Sequence, residues 1–150
     1  MSAKIVFHTR KVIVGATLAL FMAGCFGPTV PYVPKELEKQ ARSVTVAKST
    51  PYNCRLLGEA EGQDDAEGKI GPSYEKIREG ALNDLRNTAA DVAHGKRALV
   101  APTHEKLMCS SVGFFGGRST PFECKPNALG KKVVAQSYRI HAQVFDCGEK

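Results

Sequence analysis

The chain has 150 residues, of which 43% are hydrophobic and 24% charged, with a formal net charge of +6. Lys4, Arg10 and Lys11 fall in the first 24 residues, which read as an export signal, and without those 24 there remain 126 residues, carrying 18 basic and 15 acidic residues and a net charge of +3. That is room for one domain and a tether, and so mild a surplus, with no Lys/Arg-rich run interleaved with aromatics, argues against a nucleic-acid partner.

The signal has three parts in order. Basic residues come first, then an apolar run from Val12 to Met22, then the small residues Ala23 and Gly24 before Cys25. The run suits a secretory h-region and is short for a bilayer span. The order is that of a bacterial lipoprotein signal, in which Cys25 becomes the first residue of the mature chain. Its thiol takes a diacylglycerol and its amine a further acyl chain such as palmitate. Several acyl chains attach a protein stably, where a single chain binds only marginally. Met22 stands where Leu is commoner. Phe26 is not the Asp that commonly retains lipoproteins at the inner membrane, so the expected location is the outer membrane, facing the periplasm. The alternative is an ordinary cleaved signal in which Cys25 is incidental.

Phe26 to Glu38 contains Pro28, Pro31 and Pro34 and reads as an extended tether. Residues 25–42 are therefore assigned to the lipidated N-terminus and tether, and 43–150 to a periplasmic domain. Ser43–Ala47 alternates apolar and polar residues as a strand does. Ser49 to Asn53 is turn chemistry. Cys54–Ala60 reads as a second strand, and Glu61 to Gly71, rich in Gly, Asp and Glu, as an exposed loop. The clearest element is a helix over about 73–94. Ser73 caps it, and Tyr74, Ile77, Ala81, Leu85, Ala89 and Val92 form one apolar stripe that Leu82 widens. Gly80 weakens it by about 1 kcal/mol against Ala, and Gly95 stands where a left-handed cap belongs. Ala98–Ala101 reads as a buried strand stopped by Pro102, Cys109 to Cys124 as a loop, and Lys132–Phe145 as the last strand.

Four cysteines besides Cys25 in an exported chain read as two disulfides. No C-x-x-C spacing is present, so neither a redox pair nor a zinc ribbon is indicated. A strand–helix–strand unit makes the strands at 54–60 and 98–101 parallel through a right-handed crossover. If the last strand lies between them, antiparallel to both, Cys124 comes near Cys109 and Cys147 near Cys54. The expected pairs are Cys54–Cys147 and Cys109–Cys124. The expected fold is α+β: a small mixed sheet of three to four strands packed on one main helix and stapled by two disulfides, as a thin core requires.

Two stretches, Cys54-Arg-Leu-Leu-Gly-Glu-Ala-Glu-Gly62 and Gly80-Ala-Leu-Asn-Asp-Leu-Arg-Asn-Thr-Ala-Ala90, are similar to small bacterial lipoproteins of the YjeI type. The layout resembles more distantly the stress-sensing lipoprotein RcsF. The resemblance covers about residues 44–147 and implies a location and a fold, with a domain of unknown function and no established activity. The turn at His94-Gly95-Lys96 and the insert between Cys109 and Cys124 depart from the YjeI pattern.

Few residues suggest chemistry. Asn83, Asp84, Arg86 and Asn87 form a polar group on the helix, read as a recognition patch, with Asn83 and Arg86 its candidates, as side chains gripping a neighbouring loop, or as a solvated face whose Asn side chains bond nearby backbone. His94, His104 and His141 are scattered and lack metal-ligand spacing. Asp64, Asp65 and Glu67 lack EF-hand spacing and read as a solvated acidic loop. No nucleophile elbow follows from Ser110 and Ser111. Phe114 and Phe115, between glycines on a disulfide-closed loop, are candidate contacts for a partner or the membrane, or cover the sheet edge. The expectation is a lipid-anchored envelope protein acting as a non-catalytic interaction or sensor module, with no metal or cofactor. Its expected partners are the membrane, through acyl chains on Cys25, and an envelope protein. The alternative is an enzyme acting on an envelope substrate.

Overall fold

A computed structural model describes residues 30–66, 69–70, 72–114 and 117–148. Seven strands and one long helix follow in the order β1 (Val30–Pro31), β2 (Val44–Val46), β3 (Arg55–Asp65), β4 (Lys69–Ile70), α1 (Tyr74–Val92), β5 (Ala98–Ser111), β6 (Phe122–Cys124) and β7 (Val133–Asp146). Two short 3₁₀ turns, Gln40–Ser43 and Pro126–Ala128, complete the set. The fold is α+β, with the helix packed on one face of a five-stranded mixed sheet.

The sheet runs β2-β5-β7-β3, and β6 adds to the β2 side of β5. β7 lies between β3 and β5, antiparallel to both, so those two are parallel to each other. Their C-terminal ends and the start of β7 share one end of the domain. Cys54 and Cys147 join at the other end, with Cα atoms 4.3 Å apart, and Cys109 and Cys124 join β5 to β6 at 5.9 Å. Both disulfides are those expected from the strand order.

Local chemistry explains the helix. Ser73 has an extended backbone and its Oγ accepts the Lys76 N–H, an N-cap. Ile77, Ala81, Leu85 and Ala89 are buried against Ala60, Val100, Ile140, Ala142 and Val144 of the sheet. His94 and Gly95 both take positive φ at the C-terminus, and the Gly95 N–H closes on the Ala90 carbonyl at 2.9 Å.

Several strands differ from expectation. β3 runs on to Asp65 through the stretch expected as an exposed loop, and Asp64 is only 4% exposed. β5 passes through Pro102 to Ser111. Thr103 is an extra residue between the pairs Pro102–Ala142 and His104–His141, and such a bulge accommodates a residue that has no N–H to give. The loop expected from Cys109 to Cys124 contains the end of β5 and all of β6. Gln136 is a second extra residue, in β7, so Ala135 and Tyr138 both face the core and the strand's strict alternation is broken there.

The stretch read as a tether joins the domain from Val30 onward. Val30 and Pro31 pair in parallel with Lys69 and Ile70, and Tyr32 is a core residue at 4% exposure. Residues 32–43 then run beside α1 from its start toward its end.

Candidate functional site

The polar side chains of α1 hold this N-terminal strap. Asn83 Nδ2 donates to the Lys35 carbonyl at 2.9 Å, and Asn87 Nδ2 to the Glu36 carbonyl at 3.0 Å. Asn87 Oδ1 accepts the Glu38 N–H. Arg86 Nε donates to the Val44 carbonyl at 2.9 Å and its Nη2 to that of Ala41 at 3.3 Å. Asp84 accepts the Gln63 N–H at 2.8 Å and pairs with Lys35 Nζ at 3.0 Å. Of the sequence readings of this group, the structure shows the grip on a neighbouring segment. Two asparagines one turn apart are poor helix formers, but here each supplies hydrogen bonds to a strap without regular pairing of its own.

Asp64 is the buried anchor of the strap. Its Oδ2 accepts from the Tyr32 hydroxyl at 2.6 Å and from the Lys35 N–H at 3.0 Å, and its Oδ1 from the Asp65 N–H at 2.8 Å. A solvated acidic loop is therefore excluded for Asp64. Burial, and then the bond to Asp64, push the Tyr32 hydroxyl well above its usual range. Gly80 is required beside this cluster, because a Cβ there would lie 1.7 Å from Asp64 Oδ2. A second network ties α1 to β5: Arg78 pairs with Glu105 at 3.3 Å, and Glu105 accepts from the Tyr138 hydroxyl, whose ring meets Tyr74 edge-on at 5.8 Å.

Among the described residues, no helix packs on the other face of the sheet. Across it Glu61, His141 and His104 stand in one row on β3, β7 and β5. His141 Nδ1 is 3.4 Å from Glu61, and the two imidazole centroids are 6.2 Å apart. His104 and His141 thus come together, although their positions in the chain give no such signal. The missing information was the register, which the Thr103 bulge shifts by one residue. Arg139 joins the row, reaching Glu61 at 3.1 Å and Gln63 at 2.7 Å. Among the described residues no group of three or more His, Cys, Asp or Glu is placed to hold a metal ion.

A concavity lies at the Cys54–Cys147 end. It is a shallow cleft of about 670 Å³ lined by Ser43, Thr45, Pro51, Tyr52, Arg97 and Leu99, among others. Asn53 takes φ 58°, a left-handed turn position that Asn tolerates. That turn, pinned by Cys54, holds Tyr52 94% exposed on the rim. Sequence reasoning read this stretch as turn chemistry and saw no site in it. The signal was an aromatic within a turn next to a disulfide.

Phe114 is 98% exposed at the opposite end. Phe115 and Cys25 lie outside the described residues, as does Glu67. No described helix is long and apolar enough to cross a membrane.

A family model described as a domain of unknown function (DUF4156) matches residues 35–147. No curated protein and no solved structure matches the chain.

Proposed function

Because the chain belongs to the DUF4156 family, whose domain of unknown function spans most of its length, we propose that it is a lipid-anchored, non-catalytic interaction module of the bacterial envelope. In this reading Cys25 is acylated, the chain sits at the periplasmic face of the outer membrane, and the domain binds another envelope protein. The finer resemblance to YjeI-type lipoproteins supports the same location.

One observation carries the reading. The strap enters the domain at Val30, beside β4, at the end of the sheet opposite the Cys54–Cys147 disulfide. The strands β5 and β7 have 14 residues each and span about 45 Å at the usual rise per residue. An anchor at Cys25 therefore attaches the domain at the end opposite the Tyr52 cleft, tens of ångströms away along the sheet. The cleft offers an exposed aromatic, a guanidinium at Arg97 and open apolar surface around Leu99, a combination that suits contact with a protein surface.

The test is site-specific photo-crosslinking in cells from position 45, on the cleft lining, followed by identification of the captured protein. The same protein should be lost on Tyr52→Ser with Arg97→Ser, with folding and fractionation unchanged. Undiminished capture by the double variant would remove the cleft from the reading. Turnover of an envelope substrate by the purified protein, abolished by His141→Ala without unfolding, would establish the enzymatic alternative.

A further inference from the structure

The end of the domain nearest Val30 combines an exposed aromatic with exposed basic residues. The tight turn following β5 is closed by the bridge between Val112 and Arg118 and by the Gly113 N–H on the Gly117 carbonyl at 2.7 Å. Phe114 projects from it, 98% exposed. The Val112 N–H bonds the Lys132 carbonyl at 2.8 Å, so Lys131 and Lys132, both exposed, stand at the base of the turn. Arg118 Nη2 donates to the Lys69 carbonyl at 3.1 Å, and Lys69 is the register partner of Val30. A continuous path of contacts thus joins the Phe114 turn to the point where the strap begins. Asp65, at the end of β3, and Glu75, in the first turn of α1, are among the acids described at this end.

We propose that this end seats on an anionic phospholipid surface. Phe114 enters the boundary between headgroups and acyl chains, and Arg118, Lys131 and Lys132 lie against the lipid phosphates. The inference rests on the anchored reading above and goes beyond it, since anchoring alone leaves the domain free to tumble on its tether. The occupant follows from where the chain leaves the structure. Cys25 lies five positions before Val30, a reach of at most about 18 Å. Acyl chains at Cys25 hold the basic end within one or two Debye lengths of the headgroups. Each Lys or Arg near an anionic surface then adds attraction, and an aromatic side chain suits the interfacial layer. Seating also fixes the Tyr52 cleft outward.

The native chain has no tryptophan, so Phe114→Trp supplies a single indole. The full-length variant is reconstituted in vesicles containing anionic phospholipid, with and without bromine on the acyl chains, and its intact mass reports the lipid on Cys25. Tyr52→Trp is the control at the far end. Brominated lipid should quench the indole at 114 and leave that at 52 unchanged. Adding Arg118→Glu and Lys132→Glu to Cys25→Ser should weaken binding of the unacylated full chain to the same vesicles on the order of tenfold or more, with its urea midpoint retained. Acylated protein with equal quenching at the two positions overturns the seating and leaves the anchor standing, as does capture of a protein by a crosslinker at 114 without quenching. An unmodified Cys25 overturns both.

Discussion

The Tyr32 hydroxyl donates to Asp64 Oδ2 at 2.6 Å across 32 residues of sequence, with both side chains 4% exposed. This bond fastens the first core residue of the strap to the far end of β3. Removing the hydroxyl leaves a buried carboxylate with one fewer donor, and an unsatisfied buried group costs about 1–3 kcal/mol. Tyr32→Phe should lower the urea midpoint by an amount in that range without changing the slope of the transition.

Gly80 and Gly62 should both resist substitution, to different degrees. Ala is the better helix former by about 1 kcal/mol, yet a Cβ at Gly80 would lie 1.7 Å from Asp64 Oδ2 and 3.0 Å from the Lys35 N–H. The Asp64 carboxylate can move only by giving up its bonds to the strap. Gly80→Ala should therefore destabilise by about 1–3 kcal/mol, the usual cost of overpacking. A Cβ at Gly62 would meet backbone instead, 2.2 Å from the Ala81 carbonyl and 2.3 Å from the Leu85 N–H. Backbone of a packed helix cannot step aside as a side chain can, so Gly62→Ala should be the more damaging. Equilibrium denaturation of the two variants side by side checks the order.

Alkaline pH should unfold the domain through two buried phenols. Burial raises Tyr32 and Tyr138 first, followed by their hydrogen bonds to Asp64 and to Glu105 and Tyr74 respectively. Below about pH 10, the ordinary tyrosine value, both the folded and unfolded chains keep these protons and stability is full. Above it the unfolded chain releases them while the folded domain does not. Stability should then fall by up to about 1.4 kcal/mol per pH unit for each phenol. Relative to wild type, Tyr32→Phe should flatten the decline above pH 10 by one phenol's share. A decline of unchanged slope would show that this phenol ionises as readily in the fold as outside it.

The disulfides close loops of very different length. Cys54 and Cys147 are 93 residues apart, and Cys109 and Cys124 are 15 apart. On the chain-entropy view these are worth about 4.6 and 3 kcal/mol. Replacing the first pair with Ser should lower stability more than replacing the second, and peptide mapping without reduction should recover both linkages from the wild-type protein.

Acylation is tested at one residue. Cys25→Ser should move the protein from the membrane to the soluble fraction, and the mature wild-type protein should carry the mass of its lipid on Cys25. A mature chain ending in an unmodified Cys25 would contradict the anchor.

Local order in the chain was enough for the helix, with its Ser73 cap and its stripe from Ile77 to Ala89, because one face repeating every three to four residues needs no knowledge of distant partners. It was also enough for the disulfides once the last strand was set between the two parallel strands and antiparallel to both, which is where it lies. Only the tertiary structure decided the rest. Pro102 marks a strand end by its own chemistry, yet β5 continues because the partner strand allows a bulge. Asp64 resembles a loop residue until Tyr32 and the Lys35 amide arrive to satisfy it. His104 and His141 become neighbours through a one-residue shift in register, and the strap becomes part of the domain through side chains of α1 that lie 42 to 51 positions away. Helical periodicity is a property of neighbours along the chain. Bulges, buried carboxylates and side-chain grips on backbone depend on which distant groups meet.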